Sequence, residues 1–274
     1  MTIDAHQHFW NYDPEEQYWI TDEMKIIRRN FLPADLEPVL KQNQVAGCIA
    51  VQADQSEKET AFLTEQAKAN PFIKGVVGWV DLQSEDLDQK LDFYSKVPII
   101  KGFRHVLQAE APEFMLRDSF LRGIKKLYHY GFTYDILIFP HQLSSAFALV
   151  KQFPDQLFVI DHLAKPYISK GLISDWKRDM QLMAAFENVY CKISGMVTEA
   201  DLGKSKQEDF IPYLEIVTEA FGTKRLMYGS DWPVCLVAAE YAEVMNIVKS
   251  YYNHFSITEK EAVFGKNAVQ FYQL

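Results

Sequence analysis

Cysteine is scarce. Cys48, Cys191 and Cys235 are the only three in 274 residues, and they form no CxxC pair. Their odd number and wide spacing exclude a disulfide scaffold and read as packing thiols of a reducing compartment. Long hydrophobic runs are also missing: nothing approaches the roughly 20 uncharged apolar residues of a membrane span. The opening MTIDAHQHFW has no basic run followed by an apolar one, so a cytoplasmic chain without membrane contact is expected. Glycine (12) and proline (11) build no linker-like stretch, and no Gly-rich turn follows the first apolar run, which argues against an open dinucleotide-binding sheet. Positive charge is in deficit, 28 Lys plus Arg against 37 Asp plus Glu. A net charge of −9 repels polyphosphate, and nucleic acid is excluded as a partner. With 48% hydrophobic and 24% charged residues, disorder is excluded as well.

What is present is a rhythm. Short runs rich in β-branched and aromatic residues occupy 2–9, 45–53, 73–82, 98–106, 132–138, 157–164, 189–195 and 225–232. Amphipathic segments lie between them at 34–43, 56–70, 86–96, 118–130, 141–152, 172–187, 207–221 and 238–254, with one more at 258–273. Ser56 with Glu59, and Thr258 with Glu261, carry the spacing of capping boxes. Eight strand–helix units predict a single α/β domain over 1–274, a (β/α)₈ TIM barrel. The aromatic segment 10–33 after the first strand is placed on the face where such barrels carry their sites.

Reactive groups in a barrel belong at the C-terminal strand ends. The first strand ends His6-Gln7-His8, and side chains two apart on a strand point the same way, as two ligands of one metal or two donors to one oxyanion require. The eighth ends Gly229-Ser230-Asp231-Trp232-Pro233, which barrel closure brings beside the first, so that Asp231 can ligate a metal or take a proton from water. His162 ends the sixth. One strand-end histidine is more often structural than catalytic, but a third converging with an HxH pair and an aspartate reverses that preference. Arg104 at the end of strand four suits a carboxylate or hydroxyl-rich substrate, and equally suits a plain salt bridge. Gln52 and Trp79 are further candidates for ligand contact, with core packing the leading alternative for Trp79. His105 points away from Arg104 by strand alternation; it, His129, His141 and His254 receive no role.

Taken together, IDAHQHFW at 3–10, GFRH at 102–105, IDHLAKP at 160–166, CKISG at 191–195 and YGSDWP at 228–233 resemble the motifs of the amidohydrolase superfamily. Within it they are similar to amidohydrolase family 2 and its sugar-lactonase branch of L-fuconolactonases and L-rhamnonolactonases. The resemblance implies hydrolysis of a sugar lactone to the sugar acid, a small-molecule partner, and a chain free to form a homo-oligomer. Asp231 would be the general base, with His6, His8 and His162 polarising the ring carbonyl. These histidines act either directly or through one divalent ion, Zn²⁺ above others, on His6, His8 and Asp231. Arg104, Gln52, Lys165 and Ser194 would position hydroxyls, and Trp10, Trp79 or Trp232 would stack on the sugar. Many superfamily members add a strand-five histidine and a strand-four lysine or glutamate as ligands; here strand five reads TYDILIFP and strand four ends in Arg104, against a binuclear centre. Two alternatives stand beside this reading: a metal-dependent decarboxylase of the same superfamily, and a non-catalytic sugar-acid-binding barrel.

Overall fold

A computed structural model describes residues 1–202 and 204–274. Eight parallel strands form one sheet in the order of the chain: β1 (Ile3–Gln7), β2 (Gly47–Val51), β3 (Ile73–Gly78), β4 (Ile100–His105), β5 (Thr133–Ile136), β6 (Phe158–Ile160), β7 (Val189–Ile193) and β8 (Leu226–Tyr228). Each lies inside the apolar run expected for it. The strands are buried on both sides, by helices outside and by one another's side chains inside, and so read as near-continuous apolar runs.

The first and last strands meet past their ends. A parallel bridge joins Gln7 to Trp232, the Asp231 N–H donates to the His6 carbonyl at 2.9 Å, and the His8 N–H donates to the Trp232 carbonyl at 2.7 Å. Asp4 clasps the same seam: its carboxylate accepts from the Ser230 N–H at 2.9 Å, the His6 N–H at 3.1 Å and the Tyr241 hydroxyl at 3.0 Å. The sheet is thereby closed into the (β/α)₈ barrel.

The helices between strands begin and end on local signals. Ser56 accepts from the Glu59 N–H at the start of Glu57–Ala69, and Gly131 at φ +76° stops Asp118–Tyr130 where a side chain would be strained. The Ser56 box is only half formed, because the Glu59 carboxylate turns instead to the backbone N–H groups of Ala53 and Asp54. Near the C-terminus the box expected at Thr258 belongs to Ser256 and Glu259, and the expected helix 258–273 is interrupted by a π turn at Ala262–Lys266 before Asn267–Tyr272. That last helix lays Ala268, Phe271 and Tyr272 against Ile3, Ile49, Val77, Val159 and Met227, filling the barrel from the end opposite the site. Among the described residues no helix is long and apolar enough to cross a membrane.

Candidate active site

His6, His8, His162 and Asp231, from three separate strand ends, come together at the C-terminal mouth, and all four are buried. The imidazoles of His6 and His8 meet through their Nε2 atoms at 3.2 Å. His8 Nε2 lies 3.3 Å from Asp231 Oδ1, while His6 Nε2 and His162 Nε2 each lie 3.9 Å from it. His8 Nδ1 donates to the Val51 carbonyl at 2.8 Å, which in the neutral ring leaves the Nε2 lone pair facing inward. His162 Nδ1 is held by the Ser194 hydroxyl at 2.9 Å. Behind it, a Cβ on Gly195 would fall 2.6 Å from His162 Nδ1, so only glycine lets this ring sit where it does.

Two of these groups stand on strained backbone. His162 (φ +52°) opens a run of four left-handed residues through Leu163, Ala164 and Lys165, and Asp231 has φ +59°. Such conformations are disfavoured for residues with a Cβ and persist where surrounding contacts fix them, often at functional sites.

Burial holds the His6 and His162 rings well below the usual histidine range, against the pull of Asp161 on His6 and of Asp231 on His162. For Asp231, burial pushes the carboxyl up, but the facing His162 and His8 more than offset it and leave the group below its ordinary range. It is therefore ionised at neutral pH, as a general base must be.

A cavity of about 700 Å³ opens over this cluster, a size in the range of small-molecule sites. Its floor is His8, Arg104, His162 and Asp231, and apolar side chains including Trp19, Met24, Leu137 and Val234 face them. The segment expected above the site does form part of the wall, through Glu16 to Met24. Lys165 also lines it, in an ion pair with Glu199 at 3.0 Å.

The remaining contact candidates lie elsewhere. Gln52 is buried beneath Arg104 and accepts from its guanidinium through both its side-chain and backbone oxygens. Ser194 is taken by His162. The Trp79 indole N–H turns to His105, and Trp232 packs edge-on against Phe9 and Phe31. Arg104 does both things weighed for it: it reaches the cavity and pairs with Asp161 at 3.0 Å. His105 stacks on Phe114, away from the cluster.

Sequence reasoning passed over Asp161, Lys192, Asp135 and Tyr272, a polar set under the floor. A signal for three of them existed. Lys192 within VYCKI, Asp135 within TYDI and Asp161 straight after FVI are charges in fully buried parallel strands or at their ends, positions where an ionised side chain is retained only if it is paired.

The cluster fits one divalent cation. His6 Nε2, His8 Nε2 and Asp231 Oδ1 converge, and Asp231 Oδ1 is buried with no hydrogen-bond partner among the described residues. Ligands held about 2.0–2.1 Å from a tetrahedral zinc lie about 3.3 Å apart, close to two of the three separations seen. The other candidate group, His6, Asp161 and His162, already holds the Lys192 ammonium, 3.0 Å from Asp161 Oδ1 and 3.2 Å from His6 Nδ1.

An amidohydrolase family profile matches residues 3–274. The chain belongs to the amidohydrolase family. It is 36% identical to an L-fucono-1,5-lactonase of Burkholderia multivorans, over 100% of this chain and 96% of that one. A crystal structure of an amidohydrolase from Burkholderia multivorans with bound zinc superposes with a TM-score of 0.97 at 37% identity, covering 100% of this family member and 99% of that chain. A 5-carboxyvanillate decarboxylase from Novosphingobium aromaticivorans, at 12% identity and a TM-score of 0.72 over 100% of this chain and 96% of its own, shares the fold alone.

Proposed function

We propose that this amidohydrolase hydrolyses a sugar lactone of the L-fucono-1,5-lactone kind to the open sugar acid. The observation that carries the reading is Asp231 Oδ1, buried without a hydrogen-bond partner among the described residues and ringed by His6, His8 and His162 at the floor of the cavity. The lactonase relative supports the choice of substrate.

Asp231 takes a proton from a water in the cavity as that water attacks the lactone carbonyl, a contribution of about 10²–10⁴ in rate. His162, its Nδ1 occupied by Ser194, presents Nε2 to the oxyanion. Removing one such donor typically costs about 2.7–4 kcal/mol of transition-state stabilisation. As the tetrahedral species collapses, the ring C–O bond breaks. The proton held by Asp231 then passes to the departing ring oxygen, leaving a hydroxy acid and regenerating the carboxylate. A zinc ion on His6, His8 and Asp231 would supply Lewis-acid polarisation of the carbonyl. Arg104 and Lys165, on the wall, would bind ring hydroxyls. Free, buried Cys48, Cys191 and Cys235 support a reducing cytoplasmic setting, and closure of the sheet upon itself supports one domain over the whole chain.

Asp231→Asn keeps volume and removes basicity. Hydrolysis of L-fucono-1,5-lactone, followed as acid release with a pH indicator, should fall at least about 100-fold, with the circular dichroism spectrum unchanged. A variant that hydrolyses the lactone at the wild-type rate would overturn the assignment.

A further inference from the structure

Under the site the barrel interior is filled with charge as well as the aliphatic layers usual in this architecture. Arg104, Asp135, Asp161 and Lys192 are all buried there, two positive and two negative. Lys192 Nζ hydrogen-bonds Asp135 Oδ2 at 2.5 Å and His6 Nδ1 at 3.2 Å, and is ion-paired with Asp161 Oδ1 at 3.0 Å outside hydrogen-bond geometry. Buried ion pairs are weak contributors to net stability, which leaves their geometry as the property to explain.

His6 stands at the upper edge of this set. Its Nε2 faces Arg104 Nη1 at 3.3 Å and His8 Nε2 at 3.2 Å, with Asp231 Oδ1 at 3.9 Å. Its Nδ1 faces Lys192, which only donates, and Asp161 Oδ1, which only accepts, at 3.3 Å. Lys192 thus seats the Nδ1 edge of the ring, and with it the aim of Nε2 at His8 and Asp231. The position of one ammonium on a flexible four-carbon stem therefore sets the seat of a site histidine.

That position is fixed from the far end of the barrel. Tyr272, in the last turn of the Asn267–Tyr272 helix, is buried and donates its hydroxyl to Asp135, 2.9 Å from Oδ2 and 3.2 Å from Oδ1. Asp135 is thus shared between the tyrosine and Lys192. We propose that Tyr272 is a positioning residue of the active site, acting through Asp135 and Lys192 on His6. Without its hydroxyl the Asp135 carboxylate is free to turn wholly to Lys192, drawing the ammonium away from Asp161 and His6.

The test is Tyr272→Phe, which keeps the ring and removes the hydroxyl. The ring ¹⁵N signals of His6, assigned by their loss in His6→Gln, report the ring's hydrogen-bond surroundings and do not depend on activity. They should shift or broaden in Tyr272→Phe. The kcat for L-fucono-1,5-lactone should fall about 10–100-fold, the range seen when an outer partner of a site histidine is removed, with KM changed less than about two-fold. Asp135→Asn, isosteric and uncharged, should do the same and serves if Tyr272→Phe fails to fold. Val269→Ala, in the same helix, should lower Tm and leave the His6 signals alone. His6 signals in Tyr272→Phe that coincide with wild type, or a displaced His6 with an unchanged kcat, would overturn the proposal. The kinetic arm rests on the lactonase reading; a wild-type protein without turnover would count against that reading and leave the ¹⁵N comparison to decide the positioning.

Discussion

Ser194 is the residue on which the sixth-strand histidine depends. Its hydroxyl is the one side-chain hydrogen bond to the His162 ring among the described residues, and Gly195 beside it leaves the ring no alternative seat. Ser194→Ala should therefore lower kcat about 10–100-fold with little change in KM, and lower stability by only about 1 kcal/mol, the usual net value of one hydrogen bond. Steady-state kinetics beside a denaturant titration checks both. The same residue shows where the sequence stops being legible. His6, His8, His162 and Asp231 could be picked out because each closes a strand. That Ser194 meets an imidazole before it can meet a ligand depends on a turn of left-handed residues, His162 to Lys165, containing no glycine to announce it. Gln52, Trp79 and Trp232 were displaced from the expected cavity wall by equally local partners: Arg104, His105 and the Phe9–Phe31 pair.

At the scale of elements, the strand and helix rhythm was almost wholly readable, because buried parallel strands are apolar throughout and their crossover helices are not. What failed were ends. The run 157–164 ceases to be strand at Ile160, since the chain must turn to aim His162, and the last helix starts on Ser256 instead of Thr258. Another end carries removable strain. Past the Pro33–Gln42 helix, exposed Gln44 sits at φ +60°, where a Cβ is disfavoured. Gln44→Gly should raise stability by up to about 1 kcal/mol, the relief being partly offset by glycine's greater freedom in the unfolded chain. A thermal melt at neutral pH checks it, and activity should be unaffected.

For the molecule as a whole, stability carries the mark of its buried acids. Burial pushes Glu59 up from 4.5 to about 8, against two backbone N–H groups that favour its charged form. The folded chain thus keeps a proton that the unfolded chain has released, and this group's contribution to stability falls as pH rises from 4.5 to about 8. Glu59→Gln has no proton to lose, so its Tm relative to wild type should climb across that window and level off above it. Parallel melts from pH 5 to pH 9 would read the difference, and a flat one would refute it.

The seam between β1 and β8 has one more consequence. The two imidazoles of His6 and His8 are made long before Asp231, which follows the strand that locks against them through Gln7, Trp232 and the Asp4 clasp. A truncated product lacking that strand has the three histidines without Asp231, and an open sheet. The site is therefore assembled only once the eighth strand has been made and has met the first, and a nascent chain stays chemically silent until then.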